Sequence, residues 1–290
     1  MNNSKPTFDD KLALFLLKVA KMKRKQMKSV EEDYEAFYES FFENKDTSAY
    51  DKDPRMNRRH QTLNQYFEDS IEKGSKVVDF GCGLGDVIAA LPSEYDFYGM
   101  DYAKSNIDVA KPRLEGKANI EQGNIYELPY EDNTFDVGIC LEVLEHIEDD
   151  ERAVREICRV LKPGGRLIAA VPYTYYWPEY QELLGHFRHY SRESFSELMA
   201  KNGLEARAFL PNFANWHQAF TRRYCAIRFW SATVGRLLGK SDIYDFCWPW
   251  SKKTSIEKLS ESLQGLQNED AKLDYKNEGR STFLVAYKPE

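Results

Sequence analysis

From Ser75 onward the apolar residues come in short runs, separated by amphipathic stretches of helical length. That alternation is how a parallel sheet with crossover helices reads. The runs predict strands at Lys76–Phe80, Tyr95–Asp101, Ala118–Gln122, Phe135–Leu141 and Arg166–Val171. The stretches between them predict helices at Asp86–Leu91, Lys104–Leu114 and Asp149–Leu161, the last stopped by Pro163-Gly164-Gly165. A further helix over Arg192–Lys201 ends at Asn202-Gly203, and Leu204–Leu210 and Ser281–Lys288 supply two last strands. Roughly seventy residues separate those two strands, against a usual connection of about 2–6. The expectation is an α/β domain over 74–290 with an insertion at about 211–280 that carries specificity. Residues 1–73 read as a helical extension or lid in three pieces, the third near Arg59–Ile71.

Composition narrows the class. The chain has 290 residues, 42% of them apolar, enough for one large domain with a core and too hydrophobic for wholesale disorder. The apolar run Leu12–Leu17 stops at Lys18, far short of a membrane span and too short for a signal-peptide core. An integral membrane protein and an exported one are therefore not expected. Cys82, Cys140, Cys158, Cys225 and Cys247 are odd in number and scattered, which suits reduced thiols in cytoplasm. The net charge of −7 hides a local +6 over residues 1–28, leaving −13 for the rest, a surface that would repel nucleic acid.

Chemistry enters at Asp79-Phe80-Gly81-Cys82-Gly83-Leu84-Gly85-Asp86, which follows the Val77-Val78 strand and opens a helix. Glycines at alternate positions let the backbone turn tightly and approach a ligand, so a nucleotide-like ligand is expected there. Asp86 stands where a dinucleotide fingerprint wants its third glycine, which weakens a hydride-transfer reading. Asp101 ends the next strand, twenty residues after Gly81. A carboxylate at that place can accept from both hydroxyls of a ribose. The plainer use of Asp101 is to cap the helix before Lys104.

With these residues in view, the chain resembles the class I S-adenosylmethionine-dependent methyltransferases over about residues 75–210 and 281–288. The matching features are the Asp79–Gly85 loop, Asp101, Gly123-Asn124 with Leu128-Pro129, Phe135-Asp136 before Cys140, Glu142-Val143-Leu144-Glu145-His146, and Leu161-Lys162-Pro163-Gly164-Gly165. The resemblance implies a Rossmann-like seven-stranded sheet of order 3-2-1-4-5-7-6 with one antiparallel strand, and S-adenosylmethionine over the glycine loop. Asp79 and the backbone of Gly81, Cys82, Gly83 and Gly85 would hold the methionine moiety, Asp101 the ribose, and Asn124 with Ile125 the adenine. Tyr102 and Leu141 flank that cofactor, and Arg59 would pair with its carboxylate. Relatives commonly carry Asp at the place of Asn124 and a small polar residue at that of Leu84. A domain that keeps the fold but serves as a partner or regulator is the alternative those two departures encourage.

Methyl transfer to a hydroxyl needs a base, and histidine suits it near neutral pH. The chain has five: His60, His146, His186, His189 and His217. His186 and His189 lie after the fifth strand in Gly185-His186-Phe187-Arg188-His189-Tyr190-Ser191, where an α/β sheet places ligand-facing loops. They, with His146, are the candidate catalytic residues, against a bland reading in which His189 helps cap the helix near Ser191. The motif is closest to ubiquinone-pathway O-methyltransferases. That resemblance, with one to small-RNA end methyltransferases, implies a divalent cation on Glu142, Glu145 and His146, with His186 or His189 as a fourth ligand. The same string is common in metal-free relatives, where it lines the acceptor pocket, and the metal-free reading is the one adopted.

Two features lie outside the core. Leu12, Phe15, Leu16, Val19 and Met22 share one helical side, with Lys11, Lys18, Lys21, Lys25 and Lys28 mostly opposite. Such a helix packs as a lid on the core or lies peripherally on an anionic membrane surface. The insertion holds Phe213, Trp216, Phe220, Tyr224, Phe229, Trp230, Trp248 and Trp250. Aromatic residues so spaced are usually core, and here they also suit the wall of a small-molecule, glycan or lipid-linked acceptor site.

Overall fold

The computed structural model describes residues 54–172, 185–210 and 281–290. The expected basic N-terminal helix, the aromatic insertion and His217 lie outside them. Within them the chain runs α1 (Pro54–Ser70), β1 (Lys76–Phe80), α2 (Asp86–Ala90), β2 (Asp96–Asp101), α3 (Lys104–Arg113), β3 (Ala118–Gln122) and β4 (Phe135–Leu141). A 3-10 turn at Leu144–His146 leads to α4 (Asp150–Val160), β5 (Leu161–Pro172), α5 (Arg192–Lys201), β6 (Glu205–Phe209) and β7 (Ser281–Tyr287).

The seven strands form one sheet in the order β3-β2-β1-β4-β5-β7-β6. Neighbours from β3 through β5 pair in parallel, and β7 runs antiparallel to both β5 and β6. This is the topology that the resemblance implied. Because strand side chains alternate between faces, Val77 and Val78 feed different cores. Val78 and Phe80 pack with Val154 and Ile157 of α4 and Phe195 and Met199 of α5. Val77 packs with Leu63 and Phe67 of α1, Ile88 of α2 and Ile107 of α3. Leu63 and Phe67 are wholly buried, and burial of that order is worth about 1.5–3 kcal/mol per side chain. So α1 is fixed to the sheet face by its own apolar stripe.

α4 begins where the side chain of Asp149 accepts the Arg152 N–H at 3.0 Å and buries Ala153, Val154, Ile157 and Val160 on one side. Pro163-Gly164-Gly165 does not separate α4 from the next strand. β5 starts at Leu161, directly after the helix, and the strand carries the prolyl-glycyl segment as an arch. Phe135 pairs with Leu161 while Val137 pairs with Arg166, so the ladder to β4 absorbs the extra residues there. No helix among the described residues is long and apolar enough to cross a membrane.

Candidate functional site

The parallel strands end together, at Phe80, Asp101, Leu141 and Pro172, and the loops that leave those ends carry the candidate residues. The loop after β1 is set by two hydrogen bonds across to β2: Gly81 N–H and Cys82 N–H both donate to the Met100 carbonyl, at 2.7 and 2.9 Å. Gly81 and Gly83 take φ of 74° and 54°, a region that side chains disfavour. A Cβ on Gly81 would run into Val143, whereas a Cβ on Gly83 would meet no protein atom within 4 Å. The first glycine is required by packing, the second faces open space where a ligand can sit. Leu84 is buried at 4% exposure, so its apolar side chain belongs to the core, and its carbonyl accepts from Arg113 at 3.1 Å.

Asp101 serves this loop and the next helix together. Its Oδ2 accepts the Gly83 N–H at 2.8 Å. Its Oδ1 accepts the Ala103 N–H and the Asn106 amide, both at 3.0 Å. The helix-entry use is therefore present, and the second oxygen is aimed at the glycine loop. Tyr102 beside it is exposed. Asn124 is exposed too, and its side-chain oxygen accepts the Tyr126 N–H at 2.9 Å. Ile125 and Leu141 are buried.

Asp79 is almost fully buried, and its Oδ2 has no hydrogen-bond partner. Burial, with the charges of Asp86 and Asp101, pushes its carboxyl up to about 8, and Arg59 on α1 opposes the shift. Arg59 acts in the same sense on Glu145, so one guanidinium faces the field of both buried acids. An uncompensated buried acid beside an open glycine cradle is a place for a cation.

The second cluster follows β4. Glu142 takes φ 57°, a strained value for a residue other than glycine, and its N–H donates to the Ala170 carbonyl at 2.8 Å. The chain then enters the 3-10 turn that carries Glu145 and His146. Glu145 is buried, its Oε2 lacks a partner, and burial drives its carboxyl well above the usual range. The His146 and His186 rings meet edge to face at 4.4 Å, and His186 Nδ1 lies 2.7 Å from His189 Nε2. Burial lowers His146 and His189 to about 4 and His186 to about 2, so all three imidazoles are neutral at pH 7. The cap of α5 is made without His189: Ser191 and Ser194 bond reciprocally in a capping box.

Glu145, His146 and His186 each offer one donor atom within 4.8 Å of the others, a set that suits Mn²⁺ or Zn²⁺ better than Mg²⁺. Glu142 is not part of that group. The glycine loop, Asp79, Asp101 and the three histidines thus gather at the carboxyl end of the parallel strands. Sequence reasoning missed Asn106, Arg113 and Arg188. Their partners lie 5 to 41 residues away, and no local pattern marks them.

Residues 78–169 match the family described as "Methyltransferase domain". A demethylmenaquinone methyltransferase of Bacillus mycoides (strain KBAB4) is 34% identical over 106 residues, which cover 34% of this chain and 45% of that protein. Norajmaline N-methyltransferase of Rauvolfia serpentina is 30% identical over 109 residues, covering 35% of this chain and 37% of that protein. The chain thus spans less than half the length of these two curated relatives. Among solved structures, a putative sarcosine dimethylglycine methyltransferase from Galdieria sulphuraria superposes with a TM-score of 0.54 at 15% identity, over 81% of this chain and 86% of that one. This last likeness is one of fold.

Proposed function

We propose that the protein, whose residues 78–169 match the methyltransferase-domain family, moves the methyl group of S-adenosylmethionine to a hydroxyl of a small-molecule, glycan or lipid-linked acceptor. The observation that carries the cofactor half is the partnerless Oδ2 of Asp79 beside the open face of Gly83. The methionine ammonium supplies the positive charge that Asp79 lacks. A sugar over Gly83 meets the Asp101 carboxylate, and Arg59 attracts the cofactor carboxylate. Ile125 and Tyr102 flank the adenine, with Asn124 beside them.

Methyl transfer is a displacement at a sulfonium carbon whose charge disappears in the transition state. The protein chiefly aligns the acceptor with the S–CH₃ bond, and alignment of that kind supplies on the order of 7–11 kcal/mol. The hydroxyl proton must leave as the new C–O bond forms. A neutral imidazole has one lone pair: in the His186–His189 bond the donor ring keeps its own for that proton and passes its N–H proton to the partner, a path away from the acceptor. The acceptor chemistry rests on these histidines. The named relatives include an N-methyltransferase, so the choice of oxygen follows from this site and not from kinship. A divalent ion on Glu145, His146 and His186 would acidify a bound hydroxyl, and this reading does not require it.

The test is transfer from radiolabelled S-adenosylmethionine into small-molecule and lipid extracts by the full chain. Label that enters an alkali-stable ether supports the oxygen acceptor. Label on nitrogen would replace it. Tight cofactor binding with no transfer to any extract would favour a binding or regulatory protein with this fold.

A further inference from the structure

We propose that Arg188 is a positioning residue for the histidine cluster: its guanidinium clamps the loop Gly185–Ser191 onto the segment Ile147–Asp150, and that clamp brings His186 and His189 to His146. The role given to those histidines rests on the methyltransferase reading; the clamp itself does not.

The Ile147 and Glu148 carbonyls lie between the 3-10 turn and α4, outside any helix or strand ladder. Arg188 takes both of them. Its Nη1 donates to the Ile147 carbonyl at 3.1 Å and its Nη2 to the Glu148 carbonyl at 2.6 Å. The same Nη1 lies 2.9 Å from Asp150 Oδ2, an ion pair with the carboxylate only 15% exposed. The guanidinium reaches the two carbonyls from two separate nitrogens held in one plane, a spacing that the single nitrogen of a lysine does not reproduce, so lysine is a poor replacement. The loop is held on either side of this point. Phe187 N–H donates to the Glu145 carbonyl at 2.7 Å and Tyr190 N–H to the Pro172 carbonyl at 3.0 Å. The Tyr190 hydroxyl donates to Asp150 Oδ2 at 2.8 Å.

The geometry makes the clamp specific to the histidines. His186 precedes Arg188 by two residues and His189 follows it by one. His146 sits on the 3-10 turn that leads directly into the clamped segment. Releasing Arg188 frees the stretch between its two backbone ties, Phe187 to Tyr190, which carries His189, and so loosens the 2.7 Å contact that His189 makes with His186. The glycine loop and Asp101 lie on other strand ends, while the Arg188 guanidinium is spent on Ile147, Glu148 and Asp150. The cofactor side should not respond.

The experiment uses the full chain labelled with ¹⁵N-histidine, in wild-type form and as Arg188→Ala and Arg188→Lys, with S-adenosylhomocysteine as the probe ligand. The wild type should show a slowly exchanging imidazole N–H, shared by His186 and His189 and absent from His186→Ala. Arg188→Ala should lose it while unfolding cooperatively and binding S-adenosylhomocysteine with wild-type affinity. Arg188→Lys should also lose or weaken it, and this variant decides the matter if Arg188→Ala does not fold. A protected N–H that persists in a folded Arg188 variant overturns the proposal, as does its absence from the wild type. Loss of the signal together with cofactor affinity would make Arg188 a residue of general stability and also overturn it. Failure of the wild type to bind S-adenosylhomocysteine strikes the methyltransferase reading and leaves the clamp to be judged by the N–H alone.

Discussion

Asp101 Oδ2 accepts the N–H of Gly83 at 2.8 Å, so the carboxylate proposed to hold the ribose also fixes the loop over which the cofactor lies. Asp101→Asn keeps the shape but replaces a charged acceptor with a neutral one. Hydrogen bonds to a charged group are worth about 1.5–3 kcal/mol. S-adenosylhomocysteine affinity should fall roughly ten- to a hundredfold on that scale, measured by calorimetry, and the melting temperature should fall as well, because the new NH₂ faces an N–H that the lost oxygen accepted.

The two loop glycines should separate fold from binding. Gly81→Ala drives a methyl into Val143 and should destabilise the domain by more than the about 1–2 kcal/mol of left-handed backbone strain alone. Gly83→Ala carries that strain without a protein clash, since its methyl enters open space. Thermal unfolding should rank Gly83→Ala above Gly81→Ala, while calorimetry should find that Gly83→Ala binds the cofactor no better.

Asp79 makes the site sensitive to pH. Its carboxyl titrates at about 8 in the folded chain against 3.8 without the fold. The folded state therefore holds a proton that the unfolded state has released across that window. The stabilisation from this group is complete below 3.8 and is lost as pH rises through about 8. The ligand-free melting temperature should fall from about pH 6 to about pH 9, and Asp79→Asn should flatten the fall. A bound ammonium reverses the preference, so cofactor binding near neutral pH should release a proton. Calorimetry in buffers of different ionisation enthalpy reads that release directly.

The histidines should affect turnover and leave cofactor binding alone. Once an acceptor is found in the labelled extracts, His186→Ala and His189→Ala should each lower kcat by about 10²–10⁴-fold at unchanged S-adenosylhomocysteine affinity. Chelator treatment should also leave that affinity unchanged, because Asp79, Gly83 and Asp101 need no ion.

Much of the domain was legible in the sequence, for physical reasons that can be named. Val77-Val78 before Asp79 and the glycines is a buried strand feeding a ligand loop, and all of that information is local. Strand order was not local: it came through the resemblance, since nothing in the periodicity places β7 between β5 and β6. Pro163-Gly164-Gly165 marked the end of the helix but hid the start of β5, because a breaker for a helix is also material for an arch, and only pairing with β4 shows that the strand begins at Leu161. At the site, the residue types that bind or react were visible, but the groups that hold them were not. Asn106 steadies Asp101 from only five residues away, while Arg113 capping Leu84 and Arg188 spanning to Ile147 and Asp150 are contacts of tertiary origin. A charged side chain on the surface of a helix or loop has the same sequence appearance whether or not it reaches one.

The most direct measurement is titration of the purified full chain with S-adenosylhomocysteine, in wild-type form and as Asp101→Asn. The expected result is saturable one-to-one binding that the substitution weakens. A folded wild-type protein that takes up no S-adenosylhomocysteine, or one whose affinity ignores the change at Asp101, would contradict the assignment of the Asp79–Gly85 loop as the cofactor site.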